Sequence, residues 1–253
     1  MTTLSPPRDF PRLSCVFAIA RIRIKRVLRT RLGFAALLVA GAPWLLVEGS
    51  TLFARLSALA EFSVIGLTVL AAGAIADDID SGEYAILLTH GVSAIEAIAA
   101  GAIGSLALGV VIVALQLPIA LHGVAAWHLT TLLLCMFWLA ALLAGWLGVM
   151  LLLATILSGK ANAVAMVGLL IAVPIGLGSG LLERIPPAPA AVVRSALQVV
   201  PQLNHVNLMF RGVIYRSPAS PLAAVVLLTS PIVWFTLAAL RLKRVEGAGR
   251  LTQ

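Results

Sequence analysis

Apolar residues run through this chain in long blocks, and the short polar stretches between the blocks carry most of its charge. A helix needs roughly 20 consecutive apolar residues to cross the hydrocarbon core of a bilayer. Six segments are expected to do so: Leu32–Val47, Phe53–Ala76, Ile95–Leu121, Leu132–Leu157, Ala163–Leu182 and Leu222–Leu240. The first is short and interrupted by Gly41 and Pro43.

The polar intervals have patterns of their own. Residues 1–11 hold Pro6, Pro7 and Pro11, which exclude a helix there. From Leu13 to Arg31 a helix is expected, with Val16, Phe17, Ala20, Ile24, Val27 and Leu28 forming one apolar stripe. Arg21, Lys25, Arg26 and Arg29 fall largely off that stripe, the pattern of a helix lying in the membrane interface. Between the second and third apolar blocks, Asp77 and Asp78 leave the span and Ser81 suits a helix N-cap. Glu83 complements the positive end of that short helix, Ile86, Leu87 and Leu88 form an apolar knob, and Gly91 ends it. Ser93 and Glu96 then form a capping-box pattern at the start of the third block.

The long interval before the last block is broken by Ile185-Pro-Pro-Ala-Pro189. Ala190–Val200, around Arg194 and Gln198, and Asn204–Ile214, carrying His205, Asn207 and Arg211, are expected as two half-length helices with Pro201 between them. They are too short to span and too apolar to float free, so the loop is expected to dip back into the leaflet, shielded by protein or a water cavity. The expected organisation is a cytoplasmic arm and interfacial helix over 1–31 and a six-helix all-α membrane domain over 32–241. It contains the surface helix at about 81–90 and the half-helices at about 185–215, and a short basic tail follows over 242–253.

Composition agrees with this reading. The chain is 61% hydrophobic and only 11% charged, whereas soluble domains carry about 25% charged residues, so a separate soluble catalytic domain does not fit. The net charge of +8 does not signal nucleic acid, because eight of the 18 basic residues precede the first span and four follow the last. Basic flanks mark the cytoplasmic side and meet anionic headgroups, which places both termini there. Cys15 and Cys135 are far apart and suggest packing rather than a disulfide or a metal site. His122 and His128 have no accompanying ligand residues. The glycines Gly101, Gly104 and Gly109, and the pair in Gly145-Trp-Leu-Gly148, suit close helix packing within one subunit.

Catalytic signatures are missing. The nearest approach to a phosphate-binding loop, Ser158-Gly-Lys-Ala161, lacks the first glycine and the hydroxyl that such a loop requires. No nucleophile elbow, zinc-helix motif or Ser/His/Asp set occurs. Asp77, Asp78 and Asp80 with Glu83 allow an alternative, a magnesium-dependent membrane enzyme acting on a lipid pyrophosphate. Such sites use two facing acidic clusters, and the sole other aspartate is Asp9. Glu61 is the clearest ionisable residue inside a span, with Arg55 near enough to partner it. Glu61, Arg55 and Arg211 are the candidate pathway or gate residues.

The run Ser81-Gly-Glu-Tyr-Ala-Ile-Leu-Leu-Thr-His-Gly-Val-Ser93, followed by Gly101-Ala102, resembles the corresponding segment of ABC-2-type permeases, the membrane subunits of ATP-binding-cassette transporters. Gly82, Leu87, Leu88, Val92, Ser93 and Gly101 match that pattern. Glu83, Tyr84, Gly91 and Ala102 depart from it, standing where the family has threonine, Leu or Glu, proline and lysine. Pro201-Gln-Leu-Asn-His-Val-Asn-Leu-Met-Phe-Arg-Gly-Val-Ile214 is similar to a motif of the branch containing gliding-motility-type and copper-processing-type permeases. The resemblance implies a dimeric pathway, with a homodimer expected, in a bacterial inner membrane, driven by two separate ATPase subunits that bind the ATP and magnesium. It also implies that the surface helix docks into each ATPase through Gly82, Glu83, Tyr84, Leu87, Leu88 and His90. This chain would then be a non-catalytic subunit that binds no cofactor and exports lipophilic or amphipathic cargo. A membrane anchor passing ATPase work to a periplasmic partner is a further alternative.

Overall fold

The computed structural model describes residues 13–29, 51–80, 82, 86–87, 91–122, 124, 127–157, 186 and 200–250, with the backbone alone at 69–80, 94 and 245–250. The expected spans Leu32–Val47 and Ala163–Leu182 lie outside these residues, as do the arm over 1–11 and the first half-helix up to residue 199. Among the described residues the secondary structure is entirely helical: α1 (Leu13–Arg29), α2 (Leu52–Asp80), α3 (Ala94–Leu121), α4 (Leu129–Ala154), α5 (Leu203–Tyr215) and α6 (Pro221–Arg250).

Three of these helices are long and apolar enough to cross a membrane, over Ile95–Leu121, Leu129–Ala154 and Pro221–Arg244. Their outward faces carry Val110, Val111, Leu115 and Ile119 on α3, Leu133, Leu134 and Phe137 on α4, and Ile232, Val233, Leu237 and Leu240 on α6, all exposed. A water-soluble surface rarely carries such continuous apolar area, and hydrocarbon is its natural solvent. The protein is membrane-embedded and helical.

Helix α4 is the central post. Leu139, Leu142, Leu147 and Met150 are fully buried, and they share one core with Leu56, Leu59 and Leu67 of α2, Phe210 of α5 and Leu227 of α6. Two glycines of α4 let it approach α6 closely. A Cβ added at Gly148 would lie 2.7 Å from the Cβ of Trp234, and one at Gly145 would strike Ser230 Oγ and come within 3.0 Å of Pro201. Pro231 follows Ser230 inside α6 and has no N–H to give Leu227 O, whose carbonyl instead accepts a long bond of 3.5 Å from Ser230 Oγ.

Several boundaries differ from those expected. Helix α2 continues past the expected span end at Ala76 to Asp80, so Asp77, Asp78 and Asp80 form its last turn. Nothing between Ala76 and Asp80 breaks a helix, and the next described residue, Gly82, has φ +76. Helix α4 starts at Leu129 because His128 is extended at its N-cap. Helix α6 has Pro221 in its first turn, a position where the missing N–H is harmless, and Ser220 Oγ accepts from Ala223 N at 3.3 Å. It runs to Arg250, through basic residues expected in a separate tail. The second half-helix is α5, one residue longer at each end than expected.

The largest revision concerns α1. Its apolar residues form two seams, not one stripe. Val16, Ile19, Ala20 and Val27 are buried against the bundle, mainly on α3. Leu13, Phe17 and Leu28 stay exposed, about a quarter-turn away at 3.6 residues per turn.

Candidate functional site

The residues singled out above gather at the two ends of α3. Its 28 residues separate those ends by about 42 Å at 1.5 Å per residue.

At the N-terminal end of α3, the capping box is present: Glu96 N–H donates to Ser93 Oγ at 3.2 Å, and Ser93 N–H donates to Glu96 Oε2 at 2.7 Å. Glu96 is buried, so the reciprocal pair satisfies two backbone donors where water is scarce. Just before it, Ile86 N–H donates to Gly82 O at 3.1 Å and Val92 N–H donates to Leu87 O at 3.0 Å. Gly91 sits at φ +75. A six-to-one bond closing over a left-handed glycine is a Schellman ending, in which the residues at its two ends also touch. Here Leu87 and Val92 pack into one cluster with Val16 and Ile19 of α1 and Ala97 and Ala100 of α3.

That arrangement divides the expected apolar knob. Leu87 is half-buried within its own subunit, and Ile86 is 57% exposed. Glu83, Tyr84, Leu88 and His90, the other expected docking residues, lie outside the described residues, as does Ser81. Gly82 is described, and its left-handed backbone explains the choice of glycine.

Helix α1 braces the same end. Arg23 Nη1 donates to Ala97 O at 3.4 Å, and its guanidinium fills the space that a Cβ at Gly101 would need. One turn on, a Cβ at Gly104 would meet Ala20 O at 3.5 Å, so the two helix backbones nearly touch. Arg23 was not among the expected site residues. Its signal in the sequence is its phase, seven residues after Val16 and four before Val27, which puts a cation on the packed seam. Arg21, Lys25, Arg26 and Arg29 are exposed, in keeping with their expected place off the apolar seams.

At the C-terminal end of α3, Arg55 turns its guanidinium to the last carbonyls of that helix. Nη1 donates to Ala120 O at 3.4 Å and also to His122 O. A cation there complements the negative end of the helix. Arg211 of α5 lies over the Phe53 ring, 5.1 Å from its centroid, and Tyr215 packs at 6.0 Å on the same ring. Arg55 and Arg211 are therefore brought to one end of α2, each with a local partner. Glu61 is exposed and lies about 9 Å further along α2 than Arg55, by the helical rise. Burial pushes the His205 imidazole below its ordinary value of 6.5, and His205 Nδ1 accepts from Gln202 N–H at 3.3 Å at the start of α5.

The side chains of Asp77, Asp78 and Asp80 are outside the description, so the alternative magnesium reading has only their backbone placement in the last turn of α2. Among the described residues no group of three or more His, Cys, Asp or Glu side chains is arranged to hold a metal. No protein-family model matches the sequence, and no curated protein matches it.

Proposed function

We propose that the chain is the permease subunit of an ABC-2-type exporter: a six-span membrane protein with both termini in the cytoplasm, working as a homodimer in a bacterial inner membrane. Two separate ATPase subunits supply the energy, and lipophilic or amphipathic molecules are the cargo. Glu61 lies on the cargo path in this reading, and the chain itself performs no chemistry.

The observation that carries this reading is the segment 82–93. It presents exposed Ile86 while Leu87 and Val92 tie its far side to α1 and α3. An apolar side chain held out by a glycine-ended turn is a natural anchor for a partner's cleft. The tie behind it lets a push on the segment reach α3 directly. The sequence resemblance at Gly82, Leu87, Val92, Ser93 and Gly101 supports the same assignment.

Co-expression with the ATP-binding-cassette ATPase encoded nearest to it, followed by affinity purification from detergent, tests the proposal. Wild-type chain should retain the ATPase, and Ile86→Asp should lose it while still inserting in the membrane. Undiminished ATPase on Ile86→Asp would refute this docking assignment.

A further inference from the structure

We infer that α1 is a receptor for anionic lipid, and that lipid bound there braces the segment 82–93 from outside the bundle. The inference goes beyond the transport proposal and holds whatever the chain carries.

The argument starts from the division of α1 into faces. One seam, Val16, Ile19, Ala20 and Val27, is already occupied by the bundle. About a quarter-turn away, Leu13 at 66%, Phe17 at 57% and Leu28 at 49% exposure form a second apolar seam with no cover. Beyond that seam, in the same rotational direction, come Arg21, Lys25 and Arg29, all exposed. Around the helix the order is protein, apolar, cationic, with exposed Ile22 standing among the cations on the far side. A helix at the edge of a membrane bundle needs that order if acyl chains lie beneath it and headgroups beside it.

Charge selects the lipid. Helix α1 contains Arg21, Arg23, Lys25, Arg26 and Arg29 and no acidic residue. Each cation near an anionic surface gains an attraction that an uncharged headgroup does not offer. A soluble partner helix could cover Leu13, Phe17 and Leu28, but only an acidic one would also answer the cationic row, whereas an anionic bilayer offers acyl chains and counter-charge together.

The connection to the surface segment is direct. Val16 and Ile19, on the seam next to Phe17, pack in one cluster with Val92, Ala97 and Ala100, with Leu87 against them. Arg23 and the close approach of Ala20 to Gly104 lock the same helix to α3. Fixing α1 on the lipid therefore restricts the far side of the segment whose other side holds Ile86.

Hydrogen–deuterium exchange on the full chain in nanodiscs tests this, comparing phosphatidylcholine alone with discs containing about one-third phosphatidylglycerol. Anionic discs should slow exchange in α1 about tenfold and slow it measurably in 82–93. The triple variant Arg21→Gln, Lys25→Gln, Arg29→Gln should lose both effects; its changes are at exposed positions, and matching exchange in α4 verifies its fold. The variant Arg241→Gln, Lys243→Gln removes charge at α6 and should keep both effects. Equal exchange in the two discs, a triple variant that still responds, or loss of the response in the α6 variant would each overturn lipid recognition by α1. Slowing confined to α1 would overturn the link to 82–93. Protection of α1 by a co-purified ATPase, without a response to phosphatidylglycerol, would assign the face to protein contact instead.

Discussion

Trp146 Nε1 donates to Thr68 Oγ1 at 2.8 Å, joining α4 to α2 in the interior, and Thr68 Oγ1 donates in turn to Val64 O at 2.7 Å. Both side chains are buried, so the indole N–H has this hydroxyl in place of water. The pair supplies a directional contact between two helices whose other contacts are nearly all apolar.

Thr68→Val keeps the shape and removes the acceptor. The indole N–H is then buried without its partner, and the expected cost is about 1–3 kcal/mol. Chemical unfolding in mixed micelles should show this loss, while Trp146→Phe in the Thr68→Val background should recover part of it. Equal stability of Thr68→Val and wild type would remove the bond from any account of the fold.

Gly148→Ala tests a close contact between α4 and α6. The new methyl would sit 2.7 Å from the Cβ of Trp234, an atom fixed to its backbone that cannot rotate away. Forcing the helices apart should destabilise the protein by about 1–3 kcal/mol. Gly109→Ala is the internal control, since its nearest neighbours are the ends of Leu143 and Leu67 at 3.7 and 3.8 Å. Its thermal midpoint should stay close to that of wild type.

Arg55→Met removes the donor that faces Ala120 O and His122 O. Losing a cation at a helix C-terminus should cost about 0.5–1 kcal/mol, and Arg55→Lys should restore the charge without the two-carbonyl reach. Thermal unfolding in detergent should rank wild type above lysine and lysine above methionine.

Stability should also fall on acidification because of His205. Burial lowers its pKa in the folded state, so between that lowered value and 6.5 the unfolded chain binds more protons than the native one. The stabilisation is complete above about 6.5 and is lost as pH falls through the folded value. Protonation also removes the lone pair of Nδ1 that accepts from Gln202 N–H. His205→Gln should therefore show a flatter dependence of thermal midpoint on pH than wild type, from about 7.5 down to about 5. Parallel curves for the two proteins would show that another group carries the effect.

Much of the helical architecture follows from local rules. Residues Ile95–Leu121 have no helix breaker before Pro118, begin at a Ser93–Glu96 box and end at an extended His122, so composition and capping alone locate α3. Gly91 as a helix end is equally local, because only glycine accepts φ +75 without strain. The end of α2 was harder to read. Acidic residues suggest an exit from the membrane, but leaving hydrocarbon does not oblige a helix to stop.

The candidate site was legible in kind and not in orientation. Ile86, Leu87 and Leu88 announce an apolar surface turn, yet their order says nothing about which side chain meets α1. Arg55 reads from sequence as a partner for Glu61, and its contact with the last carbonyls of α3 depends on how α2 packs beside that helix.

Local pattern alone shows which blocks are helical and apolar enough for a bilayer and where turns require glycine, because periodicity, capping and backbone sterics act over a few residues. Only the tertiary structure decided that α1 has two apolar faces, that Leu87 turns inward while Ile86 stays out, and that Arg23 occupies the space left by Gly101. The physical reason is that two side chains on one helix can be equally apolar and still differ in what lies against them. That difference is set by a neighbouring helix distant in the chain, and no local pattern encodes its position.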